Sequence, residues 1–191
     1  SQCKKLTSDL GTEILTYTIG NRILEGFTAP KILWLKENEK ANFDRLSSIL
    51  IAKDYINFRL TGEKITEPSD ASGTLMLDLR TGTWSTKMLD ALQVSEDILP
   101  RIIESTSTAG YISKTAAKET GLKVSTPIVA GGADNAASAL STGAVTSRTC
   151  QISIGTSGTV LLANEHPNVD NSLTLHSFSH CIPRTWYSMG T

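Results

Sequence analysis

The chain has few cysteines, almost no net charge and no long apolar run. Its three cysteines, Cys3, Cys150 and Cys181, are scattered and form neither a CxxC pair nor another metal-ligand spacing. A dispersed, odd set of cysteines argues against a disulfide framework and favours reduced thiols. We therefore expect a cytoplasmic protein without a cysteine-held metal.

The charge balance is also uninformative about large partners. The formal net charge is −1, from 18 basic and 19 acidic side chains. This gives no electrostatic reason to expect nucleic acid or an anionic membrane surface as a partner. The longest apolar segments, such as residues 159–163, are far too short to cross a bilayer.

Local patterns predict short helices with recognisable ends. Ser85 and Ser113 are suited to cap helices that begin directly after them. Gly62 and Gly121 are suited to end the helices that precede them. Two of the three tryptophans, Trp34 and Trp186, are predicted to lie in the core.

The pattern changes near residue 125. The apolar run 127–130 is followed by glycines and predicts a buried parallel strand. The alanine-rich segment 135–140 predicts a helix packed against that strand. Residues 149–163 predict two strands around a glycine-rich turn. We place a domain boundary at about 144–148, so that residues 1–144 form one lobe and residues 145–191 begin a second.

Asp134 is the first candidate catalytic residue. It follows Gly131 and Gly132 at the end of the predicted strand, the edge at which ligands bind in open α/β sheets. The glycines allow a substrate to approach the backbone, and Asn135 adds an amide beside the carboxylate. A carboxylate placed here can accept a hydroxyl proton in phosphoryl transfer. It can equally be a simple helix cap, and the spacing alone does not decide between the two.

The second candidate is the turn formed by Gly155, Thr156, Ser157 and Gly158. Two glycines that can adopt positive φ enclose two hydroxyls and successive backbone N–H groups, a combination that can bind phosphate. No lysine follows the glycines, so this is not a Walker loop. The alternative is an ordinary hairpin turn. His176 and His180 lie four residues apart without a third ligand in a segment that looks extended, so we predict no metal role for them.

Three segments resemble the FGGY carbohydrate kinases. Residues 26–38, GFTAPKILWLKEN, are similar to the first signature of that family, including its Lys-x-x-Trp element. Residues 131–137 resemble its catalytic turn, and residues 154–159 resemble the phosphate loop of its second domain.

Further stretches are similar to the xylulokinase branch of this family. They are the helix-like segment 52–62, the "SDASGT" segment 69–74, and the "HSF-x-H" segment within 176–186. The resemblance covers nearly the whole chain. Ala133 stands where a third glycine is usual, and Ala52 stands where proline is usual.

The resemblance implies an α/β fold with two actin-like (ribonuclease H-like) domains that close around a cleft. Asp134 would be the general base, and Asn135, Phe27 and Asp70 would bind the sugar. The turn 155–158 would hold the phosphates of ATP, used with Mg²⁺. D-xylulose is the implied substrate, and a homodimer is compatible with the resemblance. Another FGGY kinase acting on ribulose, gluconate or glycerol, and a non-catalytic sugar-binding relative, remain alternatives.

The same resemblance implies that the chain is an internal fragment, the second half of the first domain with the opening strands of the second. The family's Asp-x-Gly-Thr hairpin and its Met-His sugar-contacting segment have no counterpart in the sequence. We therefore expect these 191 residues to be inactive as a kinase by themselves.

Overall fold

The computed structural model describes residues 1–190, which form a mixed α/β structure. Its α-helices are Gln2–Ile14 (α1), Thr28–Asn38 (α2), Lys40–Phe43 (α3), Ala52–Thr61 (α4), Pro68–Gly73 (α5), Thr86–Leu92 (α6), Lys114–Thr120 (α7) and Asp134–Thr142 (α8). A π-helical segment, Leu15–Ile19, continues α1, and a short 3-10 helix spans Glu96–Ile98. The strands are Ile65–Thr66 (β1), Leu77–Asp78 (β2), Thr83–Trp84 (β3), Arg101–Ile102 (β4), Thr108–Tyr111 (β5), Pro127–Val129 (β6), Cys150–Ile154 (β7), Gly158–Asn164 (β8), His176–Ser179 (β9) and Trp186–Gly190 (β10).

The largest sheet in the described part of the chain is antiparallel, with the strand order β7-β8-β10-β9. Its first two strands form a hairpin in which Ile154 pairs with Gly158, as the sequence predicts. The other strands form three two-stranded pairs: β1 with β4, which is parallel, and β2 with β3 and β5 with β6, which are antiparallel.

The main hydrophobic core lies among the N-terminal helices. Leu6 of α1, Leu15 of the π-helical segment and Met88 and Leu92 of α6 are almost completely buried in it. Each such side chain contributes about 1.5–3 kcal/mol through removal of apolar surface from water. None of the helices in residues 1–190 has the length and hydropathy needed to cross a membrane.

A second core holds α8 against the antiparallel sheet. Ala136 and Ala139 of α8 are fully buried and belong to the same cluster as Leu161, Phe178 and Tyr187 from three strands of the sheet. Alanine side chains allow the helix axis to come close to the strands. The sheet thereby fixes the position of α8 and of its first residue, Asp134.

The predicted helix ends are confirmed. The Ser85 hydroxyl accepts the Met88 N–H, and the Ser113 hydroxyl accepts the Ala116 N–H. Gly62 and Gly121 adopt left-handed C-cap conformations after α4 and α7. The domain division near residues 144–148 remains a prediction.

Two predictions about burial and direction were wrong. The run 127–130 gives a strand, β6, but it pairs antiparallel with β5, and Val129 is 55% exposed. An apolar run indicates that a segment tends to form a strand. The direction of that strand depends on the strand with which it pairs, here β5, and the run contains no information about its partner. Trp34 is 47% exposed, because Ile32 and Leu33 of α2 face the core and the next residue turns outward. Trp186, in contrast, packs against the main core.

Candidate active site

The turn that leads into α8 requires both of its glycines. Gly131 has φ of +86°, in the left-handed region that side chains disfavour. A Cβ on Gly132 would lie 3.0 Å from the Cβ of Cys181. The backbone therefore passes very close to the segment after β9, and residues 131–133 place Asp134 at the helix start.

Asp134 is the first residue of α8, and its carboxylate does not cap the helix. Ala133 occupies the N-cap position, and no side-chain cap hydrogen bond is present there. Asp134 Oδ1 instead accepts the backbone N–H of Asn135 at 2.7 Å and its side-chain Nδ2 at 3.1 Å. Among the described residues, Oδ2 has no hydrogen-bond partner. The side chain is exposed, so this oxygen can receive a proton from a ligand.

A cleft of about 560 Å³ lies in front of Asp134. Its lining includes Asp70 as well as Asp134, so the structure brings together two of the predicted site residues. The complete lining is Thr28, Ile51, Ala52, Lys53, Asp70, Gly73, Gly132 and Asp134. Asn135, Phe27 and the turn 155–158 are not part of this lining.

A cluster of charged side chains lies beside the cleft, and of its members only Asp70 was predicted from the sequence. Lys53 Nζ lies 2.7 Å from Asp54 Oδ1, 3.4 Å from Asp70 Oδ2 and 3.9 Å from Glu67 Oε1. It also donates a 3.1 Å hydrogen bond to the carbonyl of Ala130, just before the turn 131–133 that leads to Asp134. The adjacent Lys-Asp pair and a glutamate before Pro68 were visible in the sequence, but nothing there showed that they meet.

Burial and mutual repulsion set the protonation of this cluster. Burial raises the pKa of Asp70 to about 6, with nearby Lys53 opposing the change and the carboxylates of Glu67 and Asp54 adding to it. Burial also raises the pKa of Asp54, although its hydrogen bond to Lys53 acts in the other direction. Burial lowers the pKa of Lys53, but its contacts with Asp54, Asp70 and Glu67 outweigh this and leave the pKa above its ordinary value. Lys53 therefore stays cationic.

Phe27 lies beside the cleft rather than in its wall. It precedes Thr28, which lines the cleft, and occupies the N-cap position of α2. Its ring contacts the rings of His176 and Phe178, with centroids 5.5 Å and 6.2 Å away. The ring therefore joins the two hydrophobic cores at the edge of the predicted sugar site.

His176 and His180 form hydrogen bonds within the fold. His176 lies in β9, and its Nδ1 is 2.9 Å from Asn21 Oδ1. His180 Nδ1 accepts the N–H of Ile182 at 3.1 Å. Within residues 1–190, no group of three or more His, Cys, Asp or Glu side chains is arranged to hold a metal ion.

The turn 155–158 forms the exposed tip of the β7–β8 hairpin. Neither Gly155 nor Gly158 has a positive φ, so the expected left-handed conformation of these glycines is not adopted. The hydroxyls of Thr156 and Ser157 make no hydrogen bond within the described chain and are available to a ligand. Strand β7 is attached to α8, because Gln151 Nε2 donates a 2.6 Å hydrogen bond to Ser138 Oγ.

Comparisons with known proteins agree with this geometry. Residues 1–141 match the N-terminal domain of the FGGY family of carbohydrate kinases. The chain is 44% identical over 189 residues to a xylulose kinase of Lactococcus lactis subsp. lactis (strain IL1403), covering 99% of this chain and 37% of that protein. It is 41% identical over 189 residues to a xylulose kinase of Bacillus subtilis (strain 168), covering 99% and 38%.

A solved structure of a xyloylose kinase from Brucella ovis superposes with a TM-score of 0.91 at 35% identity, covering 99% of this chain and 39% of that one. The chain thus spans less than two fifths of the length of these relatives. The similarity confirms the predicted α/β fold of a sugar kinase. By sequence and by structure, the chain belongs to the FGGY family of carbohydrate kinases.

Proposed function

We propose that this chain supplies the sugar site and the general base of a kinase that converts D-xylulose and ATP to D-xylulose 5-phosphate and ADP. The observation that carries the proposal is the exposed Asp134 carboxylate at the mouth of the cleft, with Oδ1 fixed by Asn135 and Oδ2 unbonded. The names of the relatives that are 41% and 44% identical support xylulose as the sugar.

Asp134 would act by accepting a proton. As the terminal hydroxyl oxygen of the sugar forms its bond to the γ-phosphorus of ATP, the hydroxyl proton passes to Asp134 Oδ2 and ADP leaves. A positioned general base of this kind contributes roughly 10²–10⁴-fold to a rate. The two hydrogen bonds from Asn135 both go to Oδ1, which leaves Oδ2 free to accept the proton.

Asp70, Asn135 and Phe27 would position the sugar. Asp70 lines the cleft with Asp134, and Lys53 holds it at 3.4 Å. With a pKa of about 6, Asp70 is mainly ionised at neutral pH and can accept hydrogen bonds from sugar hydroxyls. The Asn135 amide follows the base directly, and the Phe27 ring supplies an apolar edge. Correct orientation of the reacting hydroxyl is a large part of catalysis in phosphoryl transfer.

The hairpin turn 155–158 would bind ATP phosphates. Its exposed hydroxyls of Thr156 and Ser157 are suitable donors, and its glycines leave open space for an approaching anion, since a Cβ on either would meet nothing closer than 3.8 Å. Mg²⁺ bound to ATP would neutralise phosphate charge. Phosphate binding requires a change in the turn, because its glycines do not have the φ values of an anion-binding nest.

A coupled ADP-release assay on the full-length protein tests this proposal. The assay would offer D-xylulose, D-ribulose, L-ribulose, gluconate and glycerol separately with Mg-ATP. A strong preference for D-xylulose in kcat/KM is the expected result. Preference for another polyol would retain a sugar kinase and overturn the substrate. Absence of turnover with every sugar, together with sugar-dependent thermal stabilisation, would favour a non-catalytic sugar-binding protein.

A further inference from the structure

A single buried carboxylate is linked to both ends of the turn that carries Asp134. Glu67 is completely buried and lies before α5, more than sixty positions from Asp134 in sequence. Its carboxylate accepts the backbone N–H groups of Ser69 and Asp70, each at 2.9 Å, and thereby caps α5. It also accepts hydroxyl protons from two serines, Ser69 at 2.8 Å and Ser105 at 2.7 Å.

Each of these serines reaches the catalytic turn with a different group. Ser69 Oγ donates its proton to Glu67 and uses a lone pair to accept the N–H of Ala133 at 2.9 Å. The backbone carbonyl of Ser105 accepts the N–H of Gly131 at 3.0 Å. The two ends of the turn 131–133 are therefore tied to one carboxylate through two separate serines.

The hydroxyl of Ser69 can bridge Glu67 and Ala133 in only one sense, as donor to the carboxylate and acceptor of the N–H. A serine hydroxyl has one proton, and the carboxylate of Glu67 takes it from Ser69. The remaining lone pairs of Ser69 Oγ are then the only groups of that side chain that can face the N–H of Ala133. Ser69 is 1% exposed, so water does not compete for this position.

We propose that Glu67, acting through Ser69 and Ser105, is a positioning residue that sets the direction of the Asp134 carboxylate. This inference rests on the proposed role of Asp134 as general base. Gly131 has a left-handed φ, and Gly132 passes close to Cys181. The turn is therefore restricted by the two serine links and by its contact with Cys181. A carboxylate carried by this turn points into the cleft only while both serine links are intact.

Ser69→Ala in the full-length protein tests the link to Ala133. We expect faster amide hydrogen exchange confined to residues 131–134, because the Ala133 N–H loses its acceptor. We also expect kcat per folded molecule to fall by roughly 10–100-fold, the loss that a small misplacement of a catalytic group can cause. The KM for the sugar should stay within about twofold of the wild-type value, because Ser69 does not line the cleft.

Ser85→Ala is the matched control. Ser85 is also a buried serine that accepts a backbone N–H at a helix start, but it caps α6, away from the cleft. This variant should lose stability without a change in kcat or in exchange at residues 131–134. If Ser69→Ala does not fold, Ser105→Ala tests the other link. This variant removes the hydroxyl bond to Glu67 but keeps the carbonyl that accepts the Gly131 N–H, so a smaller rise in exchange at residues 131–134 and a smaller loss of kcat are expected.

Unchanged exchange at residues 131–134, or a rise in KM without a loss of kcat, would overturn the positioning role. The exchange measurement does not depend on chemistry at Asp134. If exchange rises as expected while an Asp134→Asn variant keeps full activity, the hydrogen-bonded link stands and the proposed base is wrong. Both failures are thus distinguishable.

Discussion

Replacing Asp70 by Asn should stabilise the folded protein at neutral pH. Asp70 is mostly buried beside Asp54 and Glu67, and its pKa in the folded state is about 6. An unfolded aspartate has a pKa of about 4. Below pH 4 the group is protonated in both states and its folded environment carries no penalty. Between pH 4 and pH 6 the unfolded chain releases this proton while the folded protein retains it, so stability falls, and above about pH 6 both states are ionised and the loss is complete.

The size of the effect follows from the difference of about two pH units between the folded and unfolded pKa values. Each pH unit corresponds to about 1.4 kcal/mol, so ionised Asp70 destabilises the fold by up to about 3 kcal/mol above pH 7. Asn resembles the neutral acid in shape and removes this penalty. The attraction of Lys53, 3.4 Å away, already opposes the rise in pKa and is part of this balance.

Urea denaturation of the full-length protein at pH 4, 5, 6, 7 and 8 measures the effect. The free energies of unfolding of wild type and Asp70→Asn should be close near pH 4, separate between pH 4 and pH 6, and differ by a constant amount above about pH 7, with the variant more stable. Asp9→Asn, at an exposed position on α1, is the control and should follow the wild-type curve. Equal curves at every pH, or a less stable Asp70→Asn protein at pH 7, would refute the reasoning. If Asp70 binds the sugar, the stabilised variant should also have a higher sugar KM.

Two further substitutions test the packing around the site. Gly132→Ala places a Cβ 3.0 Å from Cys181 Cβ, so kcat should fall and Tm should drop by several degrees in calorimetry. Gly26→Ala is the control and should change neither, because its added Cβ meets nothing within 4 Å. An unchanged Gly132→Ala variant would contradict the close approach. Asn21→Ala removes the hydrogen bonds between a fully buried amide and the backbone of Ser177 and leaves those backbone groups unsatisfied. The free energy of unfolding should therefore fall by about 2–4 kcal/mol in urea titrations. A loss below about 0.5 kcal/mol would show that Asn21 does not join the helices to β9.

Much of the local structure could be predicted because its causes are local. The caps Ser85 and Ser113 and the terminators Gly62 and Gly121 act on the backbone next to them, so their sequence patterns suffice. The hairpin β7–β8 was predictable for the same reason. The direction of β6 was not predictable, because it depends on pairing with β5, which lies beyond helix α7 in the sequence.

In the candidate site, too, the features with local causes were predictable and those that depend on distant residues were not. Asp134 and Asn135 adjoin in sequence, and their arrangement at a helix start was predictable from the glycines before them. Lys53 and Glu67 were missed, because each reaches the turn 131–133 or the residue before it across more than sixty residues of chain. A charged residue becomes a candidate only when folding buries it, and burial of an isolated Glu cannot be recognised from a sequence in which most charges are solvated.

The turn 155–158 shows a further limit of prediction from the sequence. The sequence shows that glycines occur in the turn 155–158, and glycine allows a positive φ. It does not impose one, so the conformation of the turn could not be predicted. In the structure both glycines keep other φ values, and the tip is fully exposed.

The most direct test of the account is the turnover of Asp134→Asn in the full-length protein, measured by coupled ADP release with D-xylulose and Mg-ATP. Asn keeps the shape of the side chain but cannot accept the hydroxyl proton, so kcat should fall by roughly 10²–10⁴-fold with the fold intact. Asp90→Asn, at an exposed position on α6, should retain wild-type turnover. A kcat for Asp134→Asn within twofold of wild type would contradict the assignment of Asp134 as the general base.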